Sequence, residues 1–585
     1  MDLHARNVEV VVDTPMPPPR WALLERQLIR AETAATEEFY DRYFDERGYL
    51  QCYVRWGGDD GPDDAAENFA HWTELYALGA PEVILKLYRK AWEGHLRQYT
   101  EAKTVEVPFA RGGMYYREFP VMFDWAHNGE GFVAFYLEGL SDPYHDEFQR
   151  RTLRYAGMYM DEDPLAKNYD PVHKVIRSMF NGSRGPMMRK TTALDWAGDP
   201  FEVEGRFKPG HGESTYQEML DHFKDYHDVA GDHPLNLNTT TLAINAYMIS
   251  GEPKYRDWVL GYVDAWMDRT RTNGGIIPTN IGLDGTIGGA CDGKWYGGVY
   301  GWAHSTLDPG TQEIRHRPFF QARAPWGFGN ALLLTGDLDY LDAWRSTIDG
   351  VNANSKTVDG QTVYPRMYGD EGWYDFKPEP FDAGAMQVYY WSMNPADRGR
   401  VQPDPWLDFI EGNNPDWPVN ALEDGLEVVR DRVRRMRADM TTPDTRLCDD
   451  MNGLNPAQTD VLTQLMLGGL ATHHDGYPLH SRVRYFDPER RRPGLPEDVG
   501  ALVETLTADE ATVLLVNLDQ VHGRTITVQG GAYAEHRFVS VAVDGHATPI
   551  DDSSFSVRLA PGCGARLVVK ADRYVNRPTF AFPWV

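Results

Sequence analysis

A short turn recurs between helical periods in this chain, and it limits the architecture more than any other signal in the sequence. Apolar residues at helical spacing run up to a glycine and resume a few positions later at Pro, Asp or Glu. The turns are Gly79-Ala80-Pro81, Gly139-Leu140-Ser141-Asp142-Pro143, Gly251-Glu252-Pro253 and Gly336-Asp337. Glycine ends a helix because the residue past its C-terminus takes a left-handed conformation. Pro or an acidic residue suits the next first turn, where backbone N–H groups have no partner within the helix. Each unit is an αα-hairpin.

The helical period starts at Trp21 and runs through Leu24, Leu28 and Ile29 toward Phe39 and Tyr40. The paired helices expected after it are Ala65 to Leu78 with Pro81 onward, Pro120–Leu140 with Pro143–Met160, Asn236–Ser250 with Pro253–Arg271, and Pro318–Thr335 with Leu338–Asp349. Further helices are expected at 214–229, 381–393, 418–439 and 456–470. The spacing between pairs varies from a few residues to over forty. A solenoid would keep a fixed repeat length, so this irregularity favours a closed ring with functional loops on one face.

Near Asp475 the pattern changes to short, often alternating runs: 483–486, 501–506, 512–517, 525–529, 538–543, 555–559 and 565–569. These predict an antiparallel β-sandwich. The expected organisation is an extension over 1–19, a helical catalytic domain over 20–475 and the sandwich over 476–585, in line with a length of 585 residues.

Composition excludes some functions. A net charge of -29 argues against nucleic-acid binding and weakly against a polyanionic substrate. No apolar run is long enough to span a bilayer, and Met1–Arg6 lacks a signal-peptide pattern, so a cytoplasmic location is expected. Cys52, Cys291, Cys448 and Cys563 are far apart and form no CxxC, which predicts free thiols. No HExxH, P-loop, Rossmann glycine pattern or GxSxG appears.

The chemistry is expected in four clusters. The richest is 273–326, where Trp295, Tyr296, Tyr300, Trp302 and His304 lie among glycines, followed by Arg315, His316 and Arg317. A structureless run of that length inside a compact domain is usually functional, and its aromatic content argues against disorder. The second cluster is Asp124–Gly131, with His127, Asn128 and Glu130. The third places Arg177 and Arg184 around a Gly-Ser loop, suited to gripping a carboxylate bidentately. The fourth follows an Asp59–Asp64 run, a candidate for a structural divalent cation, and puts Asn68, His71 and Glu74 on one predicted helix.

Two reactions use these residue types. β-Elimination from a uronate needs a base for the proton beside the carboxylate, an acid for the leaving oxygen and a group that neutralises the carboxylate. Hydrolysis needs two carboxylates across the bond. Asp60, Glu74, Glu130, Asp284, Asp370 and Glu371 are available for that. Neither requires a cofactor. A third reading is glycan binding without cleavage.

The turns Gly-Glu-Pro-Lys-Tyr and Gly-Asp-Leu-Asp-Tyr, the aromatic loops and the β region together resemble the α/α-toroid carbohydrate-active enzymes over residues 20–585. That superfamily includes polysaccharide lyases and six-hairpin glycosidases. The resemblance implies a ring of six or seven hairpins and an oligo- or polysaccharide substrate, and it transfers no catalytic residue. The elimination reading assigns proton transfer to His127, Tyr296, Tyr300 and His304 with Asn128 and Glu130. It assigns substrate binding to His71, Arg177, Arg184, Trp295, Trp302, Arg315 and Arg317.

Overall fold

The computed structural model describes residues 8–52, 62–102, 122–123, 131–162, 168–179, 231–289, 291–298, 301–303, 305–307, 314–316, 320–472 and 476–584. Helices of two kinds alternate along the first part of the chain. Arg20–Tyr43 buries a stripe that includes Trp21, Leu28, Ile29, Phe39 and Tyr43, while Leu23 stays exposed. Trp417–Ala438 buries Leu422, Leu426, Val429 and Met436. Such one-sided helices cover a core. Thr240–Ser250 is buried from Thr240 through Ala246, and Phe320–Thr335 is buried at most positions despite Pro325, so these are interior helices.

Packing passes from one pair to the next. Trp72–Leu78 contacts Glu82–Ala102 and Glu138–Ser141, and Asp146–Met158 contacts Thr240–Ser250. Pro253–Thr272 contacts Phe320–Thr335, and Asp342–Asn352 contacts Ala385–Ser392. Trp417–Ala438 then returns to Arg20–Tyr43. Arg437 grips Glu38 through two 2.7 Å bonds, and the Tyr43 hydroxyl donates to Asp439 at 2.8 Å across this contact.

The second part of the chain forms two five-stranded sheets. In one the order is Glu9–Val12, Ser554–Leu559, Arg524–Gly530, Val483–Asp487 and Arg492–Pro493. In the other it is Val499–Leu506, Glu510–Asn517, Gly564–Asp572, Arg537–Val543 and His546–Asp552. Pairing is antiparallel except where Glu9–Val12 runs parallel to Ser556–Leu559. Residues read as a separate extension thus supply a strand to the C-terminal region.

Two predicted helices are corrected. Met122–Phe123 is extended and pairs with Ser178–Met179, so the expected Pro120–Leu140 helix is not continuous. Ala65–Leu78 is broken: helix Pro62–Glu67 ends, and Trp72–Leu78 restarts after His71 at φ 67°. The Asn68 amide donates to the Asp64, Ala65 and Cys448 carbonyls, diverting it from the helical pattern. The predicted 214–229 helix lies outside the described residues.

The turn glycines have a second role. A Cβ on Gly79 would come within 2.6 Å of the Leu495 carbonyl, and one on Gly139 within 2.5 Å of the Phe580 ring. A Cβ on Gly336 would come within 2.7 Å of the Tyr574 carbonyl, and one on Gly251 would strike the Arg577 guanidinium. All four turns therefore press on the C-terminal region, and the long connections leave from the opposite ends of the helices. Gly336 at φ 72° and Gly274 at φ 73° share a left-handed backbone, but nothing lies within 4 Å of a Cβ on Gly274. Gly274→Ala is expected to cost about 1 kcal/mol from backbone strain alone. Gly336→Ala adds a clash with backbone and is expected to cost roughly twice that or more in chemical denaturation. Equal costs would contradict the docking of the turns.

Candidate functional site

The segment after helix Pro253–Thr272 folds by tight turns rather than by regular structure, and buried side chains hold it. The Asn280 amide, wholly buried, donates to the carbonyls of Lys294 and Tyr296 at 2.8 and 2.9 Å. Thr279 Oγ1 donates to the Gly297 carbonyl at 3.1 Å, and the Trp302 indole donates to the Ile277 carbonyl at 2.9 Å. These bonds present Trp295 and Tyr296 toward a second element, the hairpin Met367–Gly369 with Gly372–Tyr374.

On one side of that hairpin is an aromatic group. Tyr368 lies 4.7 Å from Trp295, 5.0 Å from Tyr296 and 5.0 Å from Trp373, measured between ring centres. All four rings are half-buried, so each keeps some face or edge toward solvent. The Tyr296 hydroxyl donates to Asp370 at 2.6 Å, and Lys294 Nζ reaches the same carboxylate at 2.6 and 2.9 Å. The hydrogen bond to Asp370 holds the Tyr296 phenol above its usual value.

Successive strand residues point to opposite faces, so Tyr374 projects to the other side of the hairpin from Trp373. There it meets the short hairpin Ser305–Leu307 with Ile314–His316, in which Ser305 and His316 are register partners. Ser305 Oγ lies 2.7 Å from His316 Nδ1 and 3.1 Å from the Tyr374 hydroxyl. Asp375, at φ 52°, faces His316 Nε2 at 3.6 Å and the Lys377 ammonium at 3.0 Å. Burial lowers the His316 pKa below 6.5, with Asp375 opposing, and burial raises that of Tyr374 above 10.0. At neutral pH the imidazole is free to take a proton and the phenol holds one to give.

The sequence-predicted residues divide. Trp295 and Tyr296 are at this site. Trp302, expected to bind substrate, is instead wholly buried behind Trp373 at 5.9 Å and presents no face to a sugar. His71 is also turned inward: its Nδ1 lies 2.9 Å from Thr459 Oγ1 and 3.6 Å from Glu74, in the helical core. Glu74 accepts from the hydroxyls of Thr459, Thr463 and Thr472, which compensate a buried carboxylate. Arg177 faces Asp170 at 3.6 Å. Asp284 is exposed and caps its own turn through Thr286 at 2.6 Å. His127, Asn128, Glu130, Arg184, Tyr300, His304 and Arg317, with Asp60 and the start of the acidic run, lie outside the described residues, and only the backbone of Arg315 is described.

Ser305, Tyr368, Trp373, Tyr374 and Asp375 were not singled out from the sequence. Aromatic residues on both sides of Gly369-Asp370-Glu371-Gly372 are the hairpin signal that finds most of them. Among the described residues no group of three His, Cys, Asp or Glu is arranged to hold a metal ion. No helix among them is long and apolar enough to cross a membrane. The four cysteines are buried and none is in a disulfide, and burial pushes the Cys291 thiol up to about 11, which keeps it protonated.

No curated protein matches this chain. Among solved structures, an inactive variant of an alpha-1,6-mannanase from Salegentibacter sp. HEL1_6, in complex with alpha-1,6-mannotriose, matches at 12% identity and a TM-score of 0.31. That match covers 75% of this chain and 99% of the other. Cellobiose 2-epimerase from Spirochaeta thermophila DSM 6192 matches at 12% identity and a TM-score of 0.21, over 68% and 98% of the two chains. Likenesses this distant carry nothing about chemistry to this chain. A family model described as a domain of unknown function, DUF8034, matches residues 9–364 and 401–463. That span takes in the Glu9–Val12 strand, the helical pairs and the Ser305–His316 hairpin, and the chain belongs to the DUF8034 family.

Proposed function

We propose that this protein is a carbohydrate-active enzyme that cleaves a uronate-containing oligo- or polysaccharide by β-elimination at the loop end of an (α/α) toroid. In this reading six or seven hairpins close the ring, and the two sheets form a supporting sandwich. The observation that carries it is the chain from the Tyr374 hydroxyl through Ser305 Oγ to His316 Nδ1, on the hairpin face opposite a half-buried aromatic group.

The reaction needs a neutral base and a protonated acid at the same pH. His316 takes the proton from the carbon beside the uronate carboxylate. The adjacent carbon–oxygen bond breaks, a carbon–carbon double bond forms, and the leaving oxygen takes the Tyr374 proton. Asp375 stabilises the imidazolium as it forms, and Ser305 fixes the two groups relative to each other. Lys377 and Lys294 supply positive charge within an acidic protein. Arg315 and Arg317 flank His316 in sequence, and His304 precedes Ser305. These three, with His127, Asn128, Glu130, Arg184 and Tyr300, stay in the proposal as contributors to carboxylate binding and proton transfer. Trp295 and Trp373, on the other face of the hairpin, would stack only on sugar rings that extend past its edge.

A second reading is hydrolysis, favoured by Asp370, Glu371 and Asp375 on one hairpin and its end. The two differ in product. Incubation with a panel of uronate glycans is expected to give rising ultraviolet absorbance from an unsaturated uronate. New reducing ends with a flat trace would transfer the assignment to the carboxylates.

His316→Ala and Tyr374→Phe are each expected to lower kcat/KM by about 10²–10⁴-fold, the usual worth of a positioned proton donor or acceptor. Full activity in both variants would reject the pair. The pH profile follows from the directions of the two shifts. A base works unprotonated, so kcat/KM is expected to fall as pH drops through a value below 6.5. An acid works protonated, so the alkaline fall should come above 10.0. An acid limb well above 6.5 would remove His316 from the base role.

A further inference from the structure

The Asp375 carboxylate serves two basic groups through one oxygen. Its Oδ1 lies 3.6 Å from His316 Nε2 and 3.0 Å from Lys377 Nζ. On a regular strand, neighbouring side chains point to opposite faces. Asp375 departs from that rule because its backbone is left-handed, at φ 52°. Tyr374 and Asp375 therefore meet the same imidazole, with the Tyr374 ring centre 5.3 Å from that of His316. A left-handed backbone is unfavourable for a residue with a Cβ, and such strain gathers at functional sites.

The two basic groups are held differently. His316 and Asp375 are mostly covered, whereas the Lys377 side chain is 53% exposed. Reciprocal bonds with Tyr364, at 2.8 and 2.7 Å, fix the Lys377 backbone, so the ammonium moves on a fixed base. An ammonium has three donors, and an exposed ion pair contributes little, so Lys377 exchanges partners at small cost. Other cations nearby are committed. Arg366, the guanidinium toward Asp375, donates to the carbonyls of Tyr364, Pro365, Glu379 and Pro380. Lys294 is held by Asp370 beside Tyr296. Burial lowers the His316 pKa, Asp375 opposes, and the Lys377 ammonium lowers it further.

On the β-elimination reading of this site, we propose that Lys377 is the residue that recognises the uronate carboxylate, and that in doing so it releases Asp375 to His316. With no substrate bound, Lys377 shares Asp375 and helps keep the imidazole free of a proton. A uronate carboxylate draws Lys377 away, and the whole Asp375 charge then faces Nε2. His316 becomes the stronger base only while a carboxylate is bound. A neutral sugar leaves the Lys377–Asp375 pair intact, so the site selects its substrate both in binding and in base strength. The other groups described toward His316, the Ser305 hydroxyl and the Tyr374 phenol, are uncharged at neutral pH.

The test follows His316 in the full chain by NMR with 13C-labelled histidine, its signal assigned by loss in His316→Gln. Glucuronate is the probe, and glucose, the same ring without the carboxylate, is the control, both at constant ionic strength. In the wild type the His316 titration midpoint is expected to rise with glucuronate and not with glucose. In Lys377→Met, an exposed substitution expected to fold as the wild type, the midpoint should start higher by about 0.5 or more and ignore glucuronate. An equal midpoint in the two proteins, or no difference between glucuronate and glucose, would overturn the proposal. Kinetics separate it from the reaction on which it rests. Lys377→Met is expected to lower kcat/KM on a uronate glycan by about 10–100-fold, the worth of a hydrogen bond to a charged group. Undiminished elimination would overturn the role of Lys377 alone. Hydrolysis products, with the glucuronate response of His316 intact, would overturn elimination and leave Lys377 as the carboxylate anchor.

Discussion

Close contact between the helical turns and the C-terminal region is the constraint from which the rest of the molecule follows. Gly79, Gly139, Gly251 and Gly336 each lie where a side chain would collide with Leu495, Phe580, Arg577 or Tyr574. The same residue type that stops each helix also lets the turn approach this surface. Because these four turns are committed there, the connections between hairpins leave from the other end of the helices. Those connections are the long ones, and the 273–320 segment with its Ser305–His316 hairpin is among them. Division of labour between the two ends thus follows from where glycine is placed. Glu9–Val12 strengthens the arrangement by tying the start of the chain into the supporting sheet.

Interior charge is handled by dense local donors. Glu74 is surrounded by three threonine hydroxyls. Asp232, wholly buried, accepts from the Tyr262 hydroxyl at 3.0 Å, the Asn236 amide at 2.9 Å and the backbone N–H groups of Ile176 and His233. Burial still raises the Asp232 pKa to about 6, with Arg269 opposing. These groups crosslink distant segments, Ile176 with Tyr262 and Trp72–Leu78 with Asp460–Leu467. Their local donors account for both buried carboxylates as structural groups. His316 and Tyr374 differ because they are half-buried on short hairpins and hydrogen-bonded to each other through a single hydroxyl.

Local signals made the hairpins and most strands legible in the sequence. Gly251-Glu252-Pro253 is one, since a stop and a start three residues apart need no tertiary help. The Glu9–Val12 strand was not legible because its partner, Ser556–Leu559, is at the far end of the chain and its pairing is parallel. The break at His71 was hidden as well: its left-handed backbone is held by contacts with Thr459 and Glu74 that no local pattern reveals. Composition pointed to the 273–326 stretch, but it does not separate Trp295 from Trp302. One lines the aromatic group and the other fills the core, and the difference is set by the hydrogen bond to Ile277. The proton-transfer pair was beyond reach for a similar reason, because Tyr374 and Ser305 are 69 residues apart and meet only when two hairpins cross.

The most direct measurement is a crystal structure of the Tyr374→Phe protein soaked with a uronate oligosaccharide. A sugar chain is expected along the hairpin 367–374, with the uronate carbon that loses its proton facing the His316 ring and the glycosidic oxygen toward position 374. A sugar chain bound elsewhere, with His316 and position 374 both out of reach of it, would remove both residues from the reaction.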